Sequence, residues 1–276
     1  MKWEEAADEA IKRMPVASRR KVKSRAEAAA LKAGKNIVTM ADVEDFCKTS
    51  IGSISHESTG FRLDACSGNG VCPNRAHGTG NDASKQLFEK IRDLLEKENL
   101  GDFLKKQVNG PLRPHHAFRV SLSDCPNACS QPQIKDIGIL AAAEPALTEK
   151  ACIMCGSCEN ICRESAVCVD TEREIPVIDK ARCISCGSCI TVCPTGAIGA
   201  EVSGYRVMIG GKLGRHPRLA DELQGIHDVE TVLFIIQWCV DVYREKSRRG
   251  KRFAQIVAQE KEFILSNLEQ ALQNKK

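Results

Sequence analysis

The sequence predicts an α+β protein in three parts: a helical amino-terminal module, a domain of strands and helices, and a small cysteine-rich module inserted into that domain. Three observations predict this organisation. Apolar residues recur every three to four positions in residues 1–50 and again in 228–272, where two helices are predicted with a break at Gly250. Strand-favouring runs occur at 117–123, 136–141 and 204–210, with a helical pattern at 83–98. A cysteine motif repeats between residues 152 and 197.

Composition sets the broad class. The chain of 276 residues is longer than one hydrophobic core usually needs, and its 42% hydrophobic and 28% charged residues are typical of a soluble protein. A net charge of +4 indicates no particular partner. The start MKWEEAADEA lacks the pattern of a secretory signal, and the most apolar run, 232–242, is shorter than the ~20 residues of a membrane span. We therefore expect a cytoplasmic protein whose fifteen cysteines bind metal rather than form disulfides.

The repeat consists of CIMCGSCENICRESA at 152–166 and CISCGSCITVCPTGA at 183–197. Both copies have the C-x2-C-x2-C-x3-C spacing of bacterial ferredoxins, in which the fourth cysteine of each run binds the other cluster. Small Gly and Ser residues in the gaps let main-chain amides approach the sulfurs. The spacing predicts two 4Fe-4S clusters; a pair of structural zinc sites is the alternative. Quartet one is Cys152, Cys155, Cys158 and Cys193, and quartet two is Cys183, Cys186, Cys189 and Cys162.

Four further cysteines form a second group, called quartet three: Cys66, Cys72, Cys125 and Cys129. The first two lie in DACSGNGVCPNRAHG, and the last two lie in SDCPNACSQPQIKDIG. Pro126 restricts its own backbone and Asn127 favours local hydrogen bonds, so the segment predicts a turn that directs Cys125 and Cys129 to one cluster. Buried apolar thiols are the alternative.

These segments resemble a known family. ACSGNGVCPN, RVSLSDCPNACSQPQIKDIGI and GYRVMIGGKLGRHPRL, the last at 204–219, look like the cluster-binding and haem-lining segments of sirohaem-dependent sulfite and nitrite reductases. The resemblance covers about 55–145 and 197–255, and a ferredoxin insert at this place is typical of the dissimilatory type. It implies a third 4Fe-4S cluster on quartet three, with Cys129 bridging that cluster to the iron of sirohaem.

The resemblance also implies the domain bounds and the reaction partners. We expect a helical module at 1–50, a sirohaem and 4Fe-4S domain at 55–145 and 201–276, and a two-cluster ferredoxin insert at 146–200. Full members of the family contain two related halves, and this chain shows one. The other groups are expected from a second copy in a homodimer or from a related subunit, or they are absent. The electron donor is unknown, and no nucleic acid is expected, since RRKVKSR at 19–25 lacks aromatic partners.

Basic side chains near these segments are the candidates for binding sirohaem carboxylates and an anionic substrate. We expect Arg119, Lys212 and Arg215 to act in catalysis, and Arg75, Lys135 and Arg218 are further candidates. His115 and His116 are candidate proton donors, with loop residues as the alternative. The expected cofactor-binding set is Cys129, Arg62, Asn127, Arg119, Gly210, Gly211, Lys212 and Arg215.

The amino-terminal segment 3–43 is similar to a small helical domain that ends one subunit of the light-independent protochlorophyllide reductase. The likeness implies a contact with a tetrapyrrole or an electron donor; a helical docking module is the alternative. Thr39 is placed to cap a helix that runs to Phe46. Three cysteines have no predicted role: Cys47, Cys168 and Cys239.

Three functions are consistent with the sequence. The first is reduction of sulfite to sulfide at sirohaem, with electrons relayed through the insert to the quartet-three cluster. The second is reduction of nitrite by the same cofactors. The third is an electron-transfer or tetrapyrrole-handling protein without turnover; the single half-repeat adds weight to it, but reduction of sulfite remains the favoured function.

Overall fold

The computed structural model describes residues 1–13, 23, 26–27, 30–31, 33–42, 54–55, 60–66 and 81–275. The chain divides into two compact units, Met1–Gly52 and Ser53–Lys276. Helices and sheets in the larger unit make the fold α+β, as predicted. Among the described residues, the helices are too short or too polar to cross a bilayer.

The first unit contains strand β1 (Lys2–Trp3), helix α1 (Glu5–Arg13) and strand β2 (Ile37–Val38), with the two strands parallel. Its core comprises Ala7, Ile11, Ala26, Ala30 and Val38, against which Trp3 packs. The helical expectation is met by α1, whereas the two short strands were not predicted. Helical residues 40–42 follow Thr39, whose main-chain N–H donates to the Asp42 carboxylate at 2.8 Å. The predicted end of this helix, Phe46, lies outside the described residues.

The larger unit is built on a six-stranded mixed sheet in the order β10-β9-β6-β5-β4-β3. The central strands β4, β5 and β6 are parallel, and the remaining pairs are antiparallel. The strands are β3 (Ile54–Ser55), β4 (Phe61–Ala65), β5 (Phe118–Ser123), β6 (Ile137–Leu147), β7 (Val167–Asp170), β8 (Ile175–Ile178), β9 (Ile198–Ile209) and β10 (Asp221–Glu222), of which β7 and β8 form a separate hairpin.

Alternation along the strands gives the sheet one apolar and one polar face. In one row across the sheet, Leu63, Val120, Ile137 and Ile209 are all fully buried. Each such side chain contributes about 1.5–3 kcal/mol. The helices that contribute to this layer are α2 (Asn81–Lys97), α3 (Leu100–Gln107), α6 (Val229–Lys246), α7 (Phe253–Gln259) and α8 (Lys261–Lys275). Phe118 of β5 illustrates their packing, because its ring lies 5.3 Å from Tyr243 of α6.

The carboxyl-terminal region corrects one expectation. Two helices were predicted within 228–272, but the structure has three, α6, α7 and α8. The first break contains Gly250, at φ 69°, as predicted. The second break is the single residue Glu260, with φ −123° and ψ 35°. Neither glycine nor proline marks it, so the periodic apolar pattern runs through it without interruption.

The cysteine-rich segment leaves the sheet and returns to it at paired positions. Strands β6 and β9 pair from Ile137 and Ile209 out to Leu147 and Ile198, and residues 148–197 lie between these strand ends. The segment contains the β7–β8 hairpin and two short helices, α4 (Ser157–Ile161) and α5 (Ser188–Val192). Both flanking strands are longer than predicted, because a bulge at Glu144 and Pro145 lets the ladder continue past the proline.

Candidate functional site

The two copies of the cysteine motif fold alike. Helices α4 and α5 begin after Gly156 and Gly187, whose φ angles are 69° and 72°. Two residues earlier, Met154 and Ser185 have φ 58° and 54°. Left-handed backbone costs a non-glycine residue about 1–2 kcal/mol, so a repeated cost of this kind indicates a constraint on the loop. The shared turns give the first three cysteines of each copy the same arrangement.

Quartet one lines a single cavity with an empty volume of about 300 Å³, including its part open to solvent. Three of its cysteines come from the first copy and Cys193 comes from the second. The main-chain N–H of Met154 donates to Cys152 Sγ at 3.4 Å, and Ser157 Oγ lies 3.3 Å from Cys155 Sγ. Hydrogen bonding to Ser157 holds the pKa of the Cys155 thiol below its ordinary value, whereas burial raises the pKa of Cys158.

Quartet two lines a second cavity with an empty volume of about 320 Å³. The main-chain N–H of Ser185 donates to Cys183 Sγ at 3.4 Å, and that of Ala166 donates to Cys162 Sγ at 3.2 Å. Burial, followed by the neighbouring thiols of Cys186, Cys183 and Cys162, raises the pKa of Cys189 to about 12. The thiols therefore fall into the same two groups of four that the crossed spacing predicts.

The donor set suits iron-sulfur clusters. Each group offers four sulfurs and at least one main-chain N–H donor at a sulfur, and iron binds such thiols as thiolates. Within the described ranges, no group of three or more His, Cys, Asp or Glu side chains is close enough together to hold a single metal ion. A four-iron cubane keeps its thiolates further apart than one ion does, since each thiolate binds a different iron atom.

Cys66 and Cys125 of quartet three lie at the carboxyl ends of two adjacent parallel strands. Cys66 directly follows β4, and Cys125 lies two residues beyond β5. The main-chain N–H of Asp124 donates to Cys66 Sγ at 3.4 Å, so Cys66 lies beside the start of the 125–131 turn. Cys125 is buried and Cys129 is exposed. Cys72 lies outside the described residues.

Serines that the sequence analysis missed hold the turn around Cys129. Ser121 Oγ donates to the carbonyl of Ser130 at 2.9 Å, and the Oγ atoms of Ser123 and Ser130 are 2.7 Å apart. The turn closes through the main-chain N–H of Ala128, which donates to Cys125 O at 3.0 Å. The alternating serines of FRVSLS were the available signal, because alternate strand residues share a face.

A larger cavity separates this turn from the cysteine-rich insert. Cys125, Pro126 and Asn127 line one side, and residues of quartet two and of its helix α5 line the other, including Cys162, Cys186, Ser188 and Thr191. Its empty volume is about 940 Å³, including the part open to solvent. Quartet two therefore lies on the side of the insert that faces Cys125.

Several predicted basic residues lie on the polar face of the sheet or beside it. Arg62 and Arg119 are paired in register on β4 and β5, so their side chains leave the sheet on the same face. Asp64, on that face, accepts hydrogen bonds from Arg62 Nε at 2.9 Å and from the buried Lys135 Nζ at 2.8 Å. Burial alone would raise the pKa of Asp64, but the hydrogen bonds and the positive charges of Lys135 and Arg62 together outweigh it, and the pKa lies below its ordinary value.

Arg119 retains a free donor. Its Nη2 donates to the carbonyl of Pro114 at 3.2 Å, while its Nε is buried and has no hydrogen-bond partner among the described residues. Burial, followed by the charge of Arg252, lowers the pKa of Arg119. A half-buried guanidinium whose buried Nε is unused suits an anionic group, since an unpaired buried polar atom is costly.

The predicted glycine-rich segment forms a small hairpin. Lys212 and Arg218 exchange two main-chain hydrogen bonds of 2.9 Å, and Arg215 is exposed in the intervening loop. A Cβ on Gly210 would lie 2.5 Å from Val257, and one on Gly211 would lie 2.5 Å from the carbonyl of Gln133. Close packing within the protein therefore explains why both positions are occupied by glycine.

The other candidates occupy varied positions. The rings of His115 and His116 are 4.1 Å apart, and burial lowers the pKa of His116. Arg218 forms an ion pair with Asp221. Cys168 is exposed on β7, and Cys239 is fully buried within α6. Arg75 and Cys47 lie outside the described residues.

Two family models match the chain. Residues 61–264 match the nitrite and sulphite reductase 4Fe-4S domain. Residues 3–46 match the proto-chlorophyllide reductase 57 kD subunit, which agrees with the resemblance of the amino-terminal segment.

Two curated proteins and one solved structure are also similar to this chain. A coenzyme F420-dependent sulfite reductase of Methanocaldococcus jannaschii is 34% identical over 137 residues, or 50% of this chain and 22% of its own. One subunit of the anaerobic sulfite reductase of Salmonella typhimurium is 27% identical over 39% of this chain and 26% of its own. The chain thus matches about a quarter of the length of these relatives. The crystal structure of dissimilatory sulfite reductase I overlaps 76% of this chain and 52% of its own, with a TM-score of 0.48 and 14% identity.

Proposed function

The chain belongs to the nitrite and sulphite reductase 4Fe-4S domain family, and from this premise we propose that it reduces sulfite to sulfide with the help of bound sirohaem. Electrons are proposed to enter at a cluster on quartet one, pass to a cluster on quartet two and reach a third cluster on quartet three. The ferredoxin-like insert that carries the first two clusters spans about 146–200.

The observation that carries this proposal is the cavity between quartet two and the Cys125 turn. A relay requires its redox centres to lie close together in sequence of use. Cys162 and Cys186 of quartet two line the same cavity as Cys125 of quartet three, whereas quartet one lines a different cavity that includes the exposed Ile153. This arrangement supports quartet two as the inner station and quartet one as the outer one.

The residues present fit sirohaem as well. Its carboxylates require basic groups, and the polar face of the sheet offers Arg62 and the unused Nε of Arg119. Lys212 and Arg215 in the adjoining hairpin are proposed to complete the set, and Cys129 is the proposed bridging thiolate. When bound, sirohaem supplies an iron atom at which a small oxyanion receives electrons. Asp64 has a separate effect, since it holds Arg62 and Lys135 in place by hydrogen bonds.

Cofactor content of the anaerobically purified protein tests the proposal first. We expect about thirteen irons per chain, about twelve in the clusters and one in sirohaem, with about twelve labile sulfides and one extractable sirohaem. Cys129→Ala should abolish the spectroscopic coupling between haem and cluster, whereas Cys168→Ala, which changes an exposed cysteine outside the three quartets, should match wild type. Clusters without sirohaem would contradict the proposal and favour an electron-transfer or tetrapyrrole-handling protein.

Turnover separates the two substrates. The chemically reduced protein is mixed with sulfite or nitrite, and oxidation of a reduced dye is followed. Faster oxidation with sulfite supports the proposed substrate, which the names of the curated relatives favour. Faster oxidation with nitrite would replace sulfite by nitrite and leave the cofactor assignment unchanged. We also propose that a separate donor protein supplies the electrons. A second copy of the chain, or a related subunit, is proposed to complete the anion site.

A further inference from the structure

One arginine joins the quartet-two loop to the sheet. Arg206 lies on β9 and its Nη1 donates to the carbonyl of Ile184 at 3.2 Å. Ile184 directly follows Cys183, the first ligand of quartet two. The same guanidinium donates from Nη2 to Glu222 on β10 at 2.7 Å, and its Nε also contacts that carboxylate. Glu222 therefore orients the guanidinium, because a two-pronged contact restricts its rotation.

A second contact fixes the same loop. The main-chain N–H of Ala143 on β6 donates to the carbonyl of Ser185 at 2.8 Å. Arg206 and Ala143 belong to the two strands that carry the insert, so the loop of quartet two is held at both Ile184 and Ser185. Ile184 also lines the cavity shared with Cys125, which places this anchored loop beside the gap that electrons are proposed to cross.

The register of the sheet links both sides of that gap. Ser123 on β5 pairs with Leu140 on β6, and Leu140 pairs with Arg206 on β9. Ser123 contacts Ser130, the residue after Cys129, while Arg206 contacts the loop of quartet two. One row of the sheet therefore carries contacts to both cysteine groups, so displacement of either contact changes the separation between them.

We propose that Arg206, oriented by Glu222, is a positioning residue that sets the distance between the clusters on quartet two and quartet three. The inference rests on the proposed function. The step that it serves is the transfer of one electron, in which the first cluster is oxidised and the second is reduced by one electron each. No bond forms or breaks, and the rate depends steeply on distance.

Three variants of this contact and one matched control test the inference. Arg206→Met removes both contacts, and Arg206→Lys keeps the charge but cannot serve Glu222 and Ile184 with the same fork. Glu222→Gln keeps the shape and weakens the orientation of the guanidinium. The control is Lys180→Met, because Lys180 also joins the insert to both strands, through Glu144 at 2.5 Å and Glu201 at 3.2 Å, without touching a cysteine loop.

The measurements are iron content, the magnetic interaction between the reduced clusters of quartet two and quartet three in electron paramagnetic resonance spectra, and the rate at which the signal of the quartet-three cluster appears after rapid reduction. We expect Arg206→Met to keep its iron, to lose the magnetic interaction and to transfer electrons about tenfold more slowly, since small misplacements strongly affect positioned reactions. Arg206→Lys should recover part of both, and Lys180→Met should match wild type.

Several results would overturn the inference about Arg206. Wild-type interaction and rate in Arg206→Met would overturn the inference, as would an equal loss in Lys180→Met, which would assign the effect to docking of the insert in general. If Arg206→Met loses iron, the milder variants decide, and unchanged spectra in Arg206→Lys and Glu222→Gln overturn the inference. An iron count below three clusters, or the absence of sirohaem, in wild type would overturn the proposed function itself, and both are measured before any variant.

Discussion

The two copies of the cysteine motif share a backbone and differ in their surroundings. Gly156 and Gly187 have φ angles within a few degrees of each other. Ile153 in the first copy is 59% exposed, whereas its counterpart Ile184 is half-buried and hydrogen-bonded to Arg206. The local sequence therefore determines the backbone of each cysteine loop. Contact with the sheet distinguishes the loop of the second copy from the more exposed loop of the first copy. Two similar cysteine loops thus differ in position, and the proposed relay assigns them to an outer and an inner cluster.

The largest expected effect comes from removing one cysteine of quartet two or of quartet one. Cys189→Ala should cost about a third of the iron and stop electron flow to the haem from any reductant that enters through the insert. Cys158→Ala should lose a similar amount of iron, but a small reductant that reaches the inner cluster should still support turnover. Iron analysis and dye-linked assays with small and protein reductants provide the comparison. Equal activity in the two variants would contradict the outer and inner assignment.

The crossed ligands provide a second test. Cys162 belongs to the first copy of the motif, but it lines the cavity of quartet two, and Cys193 shows the converse. Cys162→Ala should therefore change the same resonance signal as Cys189→Ala, and Cys193→Ala the same signal as Cys158→Ala. If the signals instead group by sequence copy, each copy binds its own cluster and the crossing is wrong.

A smaller effect is expected from the residue after the fourth cysteine. Arg163 is exposed and lines the cavity near quartet two, and its counterpart in the second copy is Pro194. A nearby cation favours the reduced, more negative cluster, so Arg163→Pro should lower the reduction potential of the inner cluster. Pro194→Arg should raise that of the outer cluster. Redox titration monitored by electron paramagnetic resonance measures both shifts, and Arg163→Lys is the charge-preserving control.

The smallest effect should be equal in the two copies. Gly156→Ala and Gly187→Ala place a side chain at left-handed backbone, and each should lower the free energy of unfolding by about 1 kcal/mol. For Gly156 the nearest atom to the added Cβ is 3.8 Å away, so backbone strain rather than a clash causes the loss. Urea titrations followed by cluster absorbance measure it. A much larger loss for Gly187 would show that contact with the sheet also constrains the turn.

The sequence predicted the parts that depend on short-range spacing. The cysteine groups, the central strands and helix α2 follow from motifs or from periodic apolar residues, and the structure has the predicted strands and helix, although β6 and β9 extend beyond the predicted ranges. The family resemblance agrees with the matching model over 61–264. The break at Glu260 was missed because no glycine or proline accompanies it. The short strands of the first unit were missed because two residues carry almost no periodic signal.

The contacts that distinguish the two copies of the cysteine motif could not be predicted from the sequence. Arg206 lies 22 positions from Ile184, and only the register of β6 and β9 brings them together. The same holds for Asp64, which pairs with Lys135 across 71 positions. Lys135 was a candidate for the haem site on its charge and position alone, and its buried ion pair is a property of the folded sheet. The charge of a residue is known from the sequence, whereas its ion-pair partner is known only from the folded structure.

The two-stranded arm formed by the outer parts of β6 and β9 has an engineering consequence. Leu147 and Ile198 are already neighbours across this arm, so the ends of a shortened chain need only a tight turn to join them. A protein trimmed in this way would keep every strand of the large sheet and would lack quartets one and two. The proposed binding of sirohaem could then be measured separately from the proposed supply of electrons through the insert.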